Sequence, residues 1–129
     1  MKKVLFVCIE NACRSPMAEA FYNKYAMNSK AHSAGSDPAN DVNPMTVKVL
    51  SEIGIDIGNK KPSAYGPFIN IKFDYIVTMG CKDECPITPR EKTIKWDIPD
   101  PKGKGIEEFR KIRELIGQKV KILRKEIGD

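Results

Sequence analysis

Val4-Leu5-Phe6-Val7-Cys8-Ile9-Glu10-Asn11-Ala12-Cys13-Arg14-Ser15-Pro16-Met17-Ala18-Glu19-Ala20-Phe21 reads as a strand, a tight loop and a helix. Pro16 falls in the first helical turn, where its missing N–H costs nothing. A loop so placed aims several backbone N–H groups at one point, and the helix N-terminus adds partial positive charge. Ile9, Glu10, Asn11, Ala12, Cys13, Arg14 and Ser15 are therefore the candidate oxyanion-binding set. Arg14 can grip two oxygens of a tetrahedral anion with its planar fork. The same field favours thiolate over thiol at Cys8, which makes that sulfur a nucleophile. A cysteine merely packed at a strand end would leave the arginine and the Ser-Pro helix start to coincidence.

The chain has 129 residues, 41% hydrophobic and 30% charged, the composition of an ordinary globular domain, and we expect one domain spanning 1–129. No apolar run approaches membrane-spanning length, and Glu10 and Arg14 interrupt the only stretch that resembles a signal peptide. A cytoplasmic location without membrane contact is expected. The formal charge of +5 comes largely from lysines dispersed over the C-terminal half. That pattern suits anion steering rather than nucleic-acid binding, which concentrates charge beside aromatic platforms. Four cysteines suit a reducing compartment and catalytic or metal-binding use.

Further along, Met17, Phe21 and Tyr25 give the first helix an apolar stripe. Ala31-His32-Ser33-Ala34-Gly35 reads as a second strand, with no catalytic part for His32. Asn43-Pro44 starts a second helix with Met45, Val49 and Ile53 on one face, ended by Gly54. Residues 55–71 are irregular, with room for a short helix. Phe73-Asp74-Tyr75-Ile76-Val77-Thr78-Met79 and Thr93-Ile94-Lys95-Trp96 read as strands. Ile106, Phe109, Ile112, Leu115, Ile116, Val120, Leu123 and Ile127 mark a long amphipathic helix. Alternating strands and helices predict an α/β fold, a parallel sheet covered on both faces, with the site beyond the carboxyl ends of its strands. The loops 8–15, 80–86 and 97–101 would then share one mouth.

Cys81 and Cys85, three residues apart in separation, sit in the second of these loops. A zinc site built from Cys8, Cys13, Cys81 and Cys85 is disfavoured, because Arg14 beside Cys8 would repel a cation and closed zinc knuckles use tighter spacing. A redox pair, with one thiol attacking a sulfur and the other completing the exchange, fits better. Asp100, before Pro101, is biased to extended backbone and can present its carboxyl to the mouth. Alone it reads as a surface turn; beside Cys8 and Arg14 it reads as a proton donor.

These residues together resemble the low-molecular-weight protein tyrosine phosphatases and the thioredoxin-coupled arsenate reductases that share their fold. Ser33-Ala34-Gly35, Val42-Asn43-Pro44, Ile55-Asp56-Ile57, Trp96-Asp97 and Asp100-Pro101 extend the resemblance over nearly the whole chain. It implies a four-stranded parallel sheet in the order 2-1-3-4 with helices on both faces. Phosphatases of this type lack a thiol pair after the third strand, so Cys81 and Cys85 point to the reductase branch. The resemblance then implies a three-thiol relay on arsenate. Cys8 attacks under Arg14 with Asp100 assisting, Cys81 attacks Cys8, and Cys85 resolves to a Cys81–Cys85 disulfide reduced by thioredoxin or a similar dithiol. Ser15 would hydrogen-bond the Cys8 sulfur, and Asn11 would hold the loop's shape.

Three departures accompany the resemblance. Cys81 stands one place later than the usual reductase cysteine, and its loop to Cys85 is shorter. Glu10 replaces a common glycine, with its side chain expected in solvent. Some reductases carry a potassium site, which Asn11, Glu19 and Ser33 match; where an aspartate would complete it stands Ser63, with Lys60 nearby as an ammonium that could take the ion's place. No resident metal or cofactor is expected otherwise. Cys13 could pair with Cys8 in a protective disulfide or pack beneath the loop. The alternatives are a phosphatase acting on phosphotyrosine or aryl phosphates through a Cys8 phosphocysteine, and an oxyanion-binding redox sensor. A monomer is the expected state.

Overall fold

The computed structural model describes residues 2–68, 70–79 and 93–129. β1 (Lys2–Cys8) runs into α1 (Arg14–Tyr25), followed by β2 (Ser29–Gly35), α2 (Pro44–Ser51), a 3-10 turn (Gly66–Phe68), β3 (Tyr75–Thr78), β4 (Thr93–Lys95) and α3 (Ile106–Ile127). The four strands form one parallel sheet in the order β2-β1-β3-β4. β1 pairs with β2 from Lys2 opposite Ser29 to Cys8 opposite Gly35, and with β3 from Val4 opposite Tyr75 to Val7 opposite Thr78. Central β1 is an unbroken apolar run because both its faces are covered.

Alternation along β1 sorts the core. Val4, Phe6 and Cys8 join Met17, Ala18, Phe21 and Tyr22 of α1, Val49 and Leu50 of α2, and Phe109, Ile112, Ile116, Val120 and Leu123 of α3 in the larger cluster. Leu5 and Val7 face the other way, with Ala34, Phe73 and Ile76, under Tyr65, Phe68 and Ile71. Among the described residues, three α-helices thus cover one side and the segment carrying the 3-10 turn covers the other.

Several local expectations are corrected. Tyr25 is 51% exposed, and α1 buries Tyr22 in its place. α2 ends at Ser51, and its buried face is Thr46, Val49 and Leu50; Met45 and Ile53 stay 38% and 37% exposed. β2 begins two residues earlier than the apolar signal suggested, at Ser29, whose hydroxyl is held by the Tyr22 hydroxyl and the Asp129 carboxylate. The capped start of α2 matches expectation: the Asn43 side chain accepts from the Met45 N–H. His32 stacks between Phe68 and Phe73, and burial lowers its pKa from the usual imidazole range.

Candidate active site

The loop 8–15 leaves the carboxyl end of β1 and enters α1, and its outer side is laced to the segment after β2. Ser36 N–H donates to Cys8 O (3.2 Å), Asp37 N–H to Ile9 O (2.7 Å), Ala39 N–H to Glu10 O (2.9 Å) and Asn43 N–H to Ala12 O (2.9 Å). With these carbonyls turned outward, the trans peptide units turn their N–H groups toward the inside of the loop. A concave row of donors at a helix N-terminus is an anion receptor.

Asn11 occupies the left-handed region at φ 52°, and its side chain holds it there. Nδ2 donates to Ser15 Oγ (2.7 Å) and Ser33 Oγ (3.0 Å), while Oδ1 accepts from the Ser63 N–H (2.8 Å). Because Ser15 Oγ accepts from Asn11, its own proton is free for Cys8 Sγ, 2.9 Å away. That hydrogen bond stabilises negative charge on the sulfur. Gly35 underlies the loop: a Cβ there would meet Ile9 O at 2.6 Å and Asn11 N at 2.8 Å.

Arg14 is buried, with Nη1 donating to Ile98 O (3.0 Å) and Nη2 3.6 Å from Asp100 Oδ2. The arginine therefore ties the loop 97–101 to the oxyanion loop and brings the Asp100 carboxyl to it. Asp100 is itself oriented by the Lys102 N–H, which donates to Oδ1 (3.0 Å). Glu10 does not stand free in solvent as expected. Its carboxylate meets Lys102 Nζ at 2.7 Å, a second tie between the two loops. Sequence reading passed over Lys102 because its partner lies far away in the chain; a carboxylate in an anion-binding loop was the signal that a cation must stand near it.

Cys8 and Cys13 are both free thiols and both buried. Burial pushes the Cys13 thiol up to about 11, the Thr46 hydroxyl opposing and the charges of Asp100, Cys8 and Glu10 reinforcing the shift. Burial thus favours the neutral thiol at Cys13, the less nucleophilic form. Cys81 and Cys85 lie outside the described residues, as does the loop 80–86 expected at the mouth. Among the described residues, no group of three or more His, Cys, Asp or Glu side chains could hold a metal ion.

The potassium candidates Asn11, Glu19 and Ser33 do come together, but their oxygens are already committed. Ser33 Oγ donates to Glu19 Oε1 (2.6 Å), and Asn11 Oδ1 serves Ser63. The Lys60 ammonium straddles the Glu19 carboxylate, 2.8 Å from Oε1 and 3.2 Å from Oε2. A cation bound there would face a resident positive charge, so these residues do not fit one.

Among the described residues, no helix is long and apolar enough to cross a membrane. A family model described as low molecular weight phosphotyrosine protein phosphatase matches residues 3–129. An arsenate reductase of Brevibacillus brevis is 39% identical over 93% of this chain and 92% of its own length. The structure described as an arsenate reductase in the phosphate binding state superposes with a TM-score of 0.88 at 31% identity, covering 98% of this chain and 99% of that one. A thioredoxin-dependent arsenate reductase of Corynebacterium glutamicum superposes with a TM-score of 0.83 at 33% identity, covering 99% of this chain and 62% of that one.

Proposed function

The chain belongs to the low molecular weight phosphotyrosine protein phosphatase family, and on that premise we propose that it reduces arsenate to arsenite through Cys8, Cys81 and Cys85, recycled by a thioredoxin-like dithiol. The observation that carries the reading is the buried Cys8 sulfur, 2.9 Å from the Ser15 hydroxyl in a loop whose Arg14 reaches Asp100. That arrangement supports thiolate attack on a bound tetrahedral oxyanion. The thiol pair Cys81 and Cys85 and the arsenate reductase relatives favour arsenic over phosphorus as the attacked atom.

Arsenate enters the ring of loop N–H groups and takes Arg14. The Cys8 thiolate attacks arsenic, and hydroxide leaves as water with a proton from Asp100. Cys81 then attacks Cys8 Sγ; the S–As bond breaks and its electron pair stays on arsenic, which leaves as arsenite. The resulting Cys8–Cys81 disulfide is attacked by Cys85, freeing the Cys8 thiolate and leaving Cys81–Cys85 for the external dithiol to reduce.

A second reading has one specific support, the family description itself. With an aryl phosphate, the same Cys8 would form a phosphocysteine and Asp100 would protonate the leaving phenol. The two readings part at Cys81. Arsenate-dependent NADPH oxidation with thioredoxin and its reductase should be abolished by Cys8→Ser and by Cys81→Ser, whereas hydrolysis of p-nitrophenyl phosphate should be lost only in Cys8→Ser. Arsenate reduction that survives Cys81→Ser would overturn the relay.

A further inference from the structure

The hydrogen bonds that end on Cys8 begin at an ion pair one turn further along the same face of α1. Lys60 Nζ straddles the Glu19 carboxylate, Glu19 Oε1 accepts from Ser33 Oγ, Ser33 Oγ accepts from Asn11 Nδ2, and the same Nδ2 donates to Ser15, which faces Cys8 Sγ. Each link fixes the proton of the next. The carboxylate claims the Ser33 proton, so Ser33 can only accept from Asn11. Asn11 therefore keeps its amide nitrogen toward both serines, and Ser15 keeps its proton for the sulfur.

We propose that Lys60 is a positioning residue for the Cys8 nucleophile, a cation built into the chain that pairs with the Glu19 carboxylate and so keeps the Ser33–Asn11–Ser15 chain aimed at the sulfur. The Glu19 side chain is only 15% exposed, and the site it serves must accommodate a thiolate and an oxyanion. A second negative charge at Glu19 opposes both unless a positive charge accompanies it.

The backbone around Lys60 is arranged for this task. Asp56 Oδ1 accepts from the Gly58 N–H (2.9 Å), and Lys60 N–H donates to Ile57 O (2.9 Å), closing a turn that delivers the lysine. Three residues on, Ser63 clamps the oxyanion loop and its floor together, its N–H on Asn11 Oδ1 and its carbonyl accepting from the Gly35 N–H (2.8 Å). The ion pair also lines a cavity of about 350 Å3 with Pro16, Asn23 and Asp56, so solvent ions can reach Glu19 if the ammonium is removed.

The inference rests on Cys8 being the nucleophile, but its readouts do not depend on whether arsenate or a phosphate ester is the substrate. The full chain is studied at constant ionic strength in choline or potassium chloride. Site-resolved alkylation of Cys8 by iodoacetamide and calorimetric binding of inorganic phosphate are measured. Lys60→Met should slow alkylation and weaken phosphate binding, each about five- to tenfold, while Lys60→Arg retains both. The loss should vanish when Lys60→Met is placed in a Glu19→Gln background, where no carboxylate needs a partner. Potassium should leave the wild type unchanged and restore part of the loss in Lys60→Met.

Unchanged alkylation and binding in a folded Lys60→Met would overturn the proposal. An equal loss in the Glu19→Gln background would do the same, because Lys60 would then not act through the carboxylate. A wild-type protein that binds phosphate more tightly in potassium than in choline would also refute it, and that comparison holds even if Lys60→Met fails to fold.

Discussion

At Gly35 the backbone leaves no room for a methyl group. Its Cβ position is blocked by backbone atoms of the oxyanion loop itself, Ile9 O and Asn11 N, which cannot swing aside as a flexible side chain can. Gly35→Ala should therefore displace the loop rather than unfold the sheet: stability falls by about 1–3 kcal/mol, while turnover falls by about 100-fold because a misplaced donor ring no longer fits the anion. Thermal unfolding alongside steady-state kinetics checks both, and a variant with wild-type turnover would show that the floor is not what sets the loop. Gly35 stood in plain view within Ser33-Ala34-Gly35, as Cys8 and Arg14 did within the loop, because all of these act on near neighbours in sequence or in the adjacent strand. Lys60 was legible only through the resemblance, which sets it beside Glu19, and Lys102 was not legible at all. A lysine's meaning depends on which carboxylate the fold brings to it, and Glu10 arrives from another element.

The elements tell where periodicity is trustworthy. Four-residue steps on a helix of 3.6 residues per turn drift by about 40° each, so the third member of such a stripe has moved well round the helix. Met17 and Phe21 are buried and Tyr25 is not; Val49 is buried while Met45 and Ile53 keep over a third of their surface exposed. The apolar pattern spans α3 from end to end because its positions mix three- and four-residue steps, which track the true period. α2, only eight residues long, depends on tertiary ties that no periodicity announces. Its C-cap Glu52 receives Arg110 at 2.7 Å and Arg113 at 2.8 Å from α3, and Arg113 also donates to Val49 O. Those arginines, Arg110 foremost, hold the Glu52 carboxyl down to about 2, well below the usual carboxylate range. Because the folded value is the lower one, the contribution is complete above the unfolded carboxyl's range and is lost as pH falls from about 4.5 toward 2. Glu52→Gln should lower Tm at about pH 6 and progressively less as the pH approaches about 3. A difference in Tm that stays constant over that range would mean the arginines do not stabilise the ionised carboxylate.

Taken whole, the molecule places its chemistry where a parallel sheet must place it, beyond the carboxyl ends of the strands. The order β2-β1-β3-β4 sets the oxyanion loop between the segment after β2, which turns its carbonyls outward, and the segment after β4, which supplies Asp100. That much follows from strand–loop–helix patterning. What patterning leaves open is how firmly the distant segment is held, since it depends on ion pairs formed only after the chain has closed on itself. Among the described residues two such ties are formed, a buried one from Arg14 to Ile98 O and Asp100, and an exposed one from Glu10 to Lys102. In the proposed mechanism an arriving oxyanion competes for the first, because Arg14 would be its ligand. The second is then what keeps Asp100 near the leaving oxygen, and Lys102 contributes to it twice, through its ammonium on Glu10 and its N–H on Asp100. The Lys102 side chain is 58% exposed, so the pair is a weak tie that salt screens. Lys102→Met, which removes the ammonium and keeps the backbone donor, should lower kcat by up to about fivefold at low ionic strength. As salt rises the wild type should slow toward the variant, because screening loosens in one protein what the substitution has already removed in the other. Parallel salt profiles would show that the Arg14 tie alone holds the loop through the catalytic cycle.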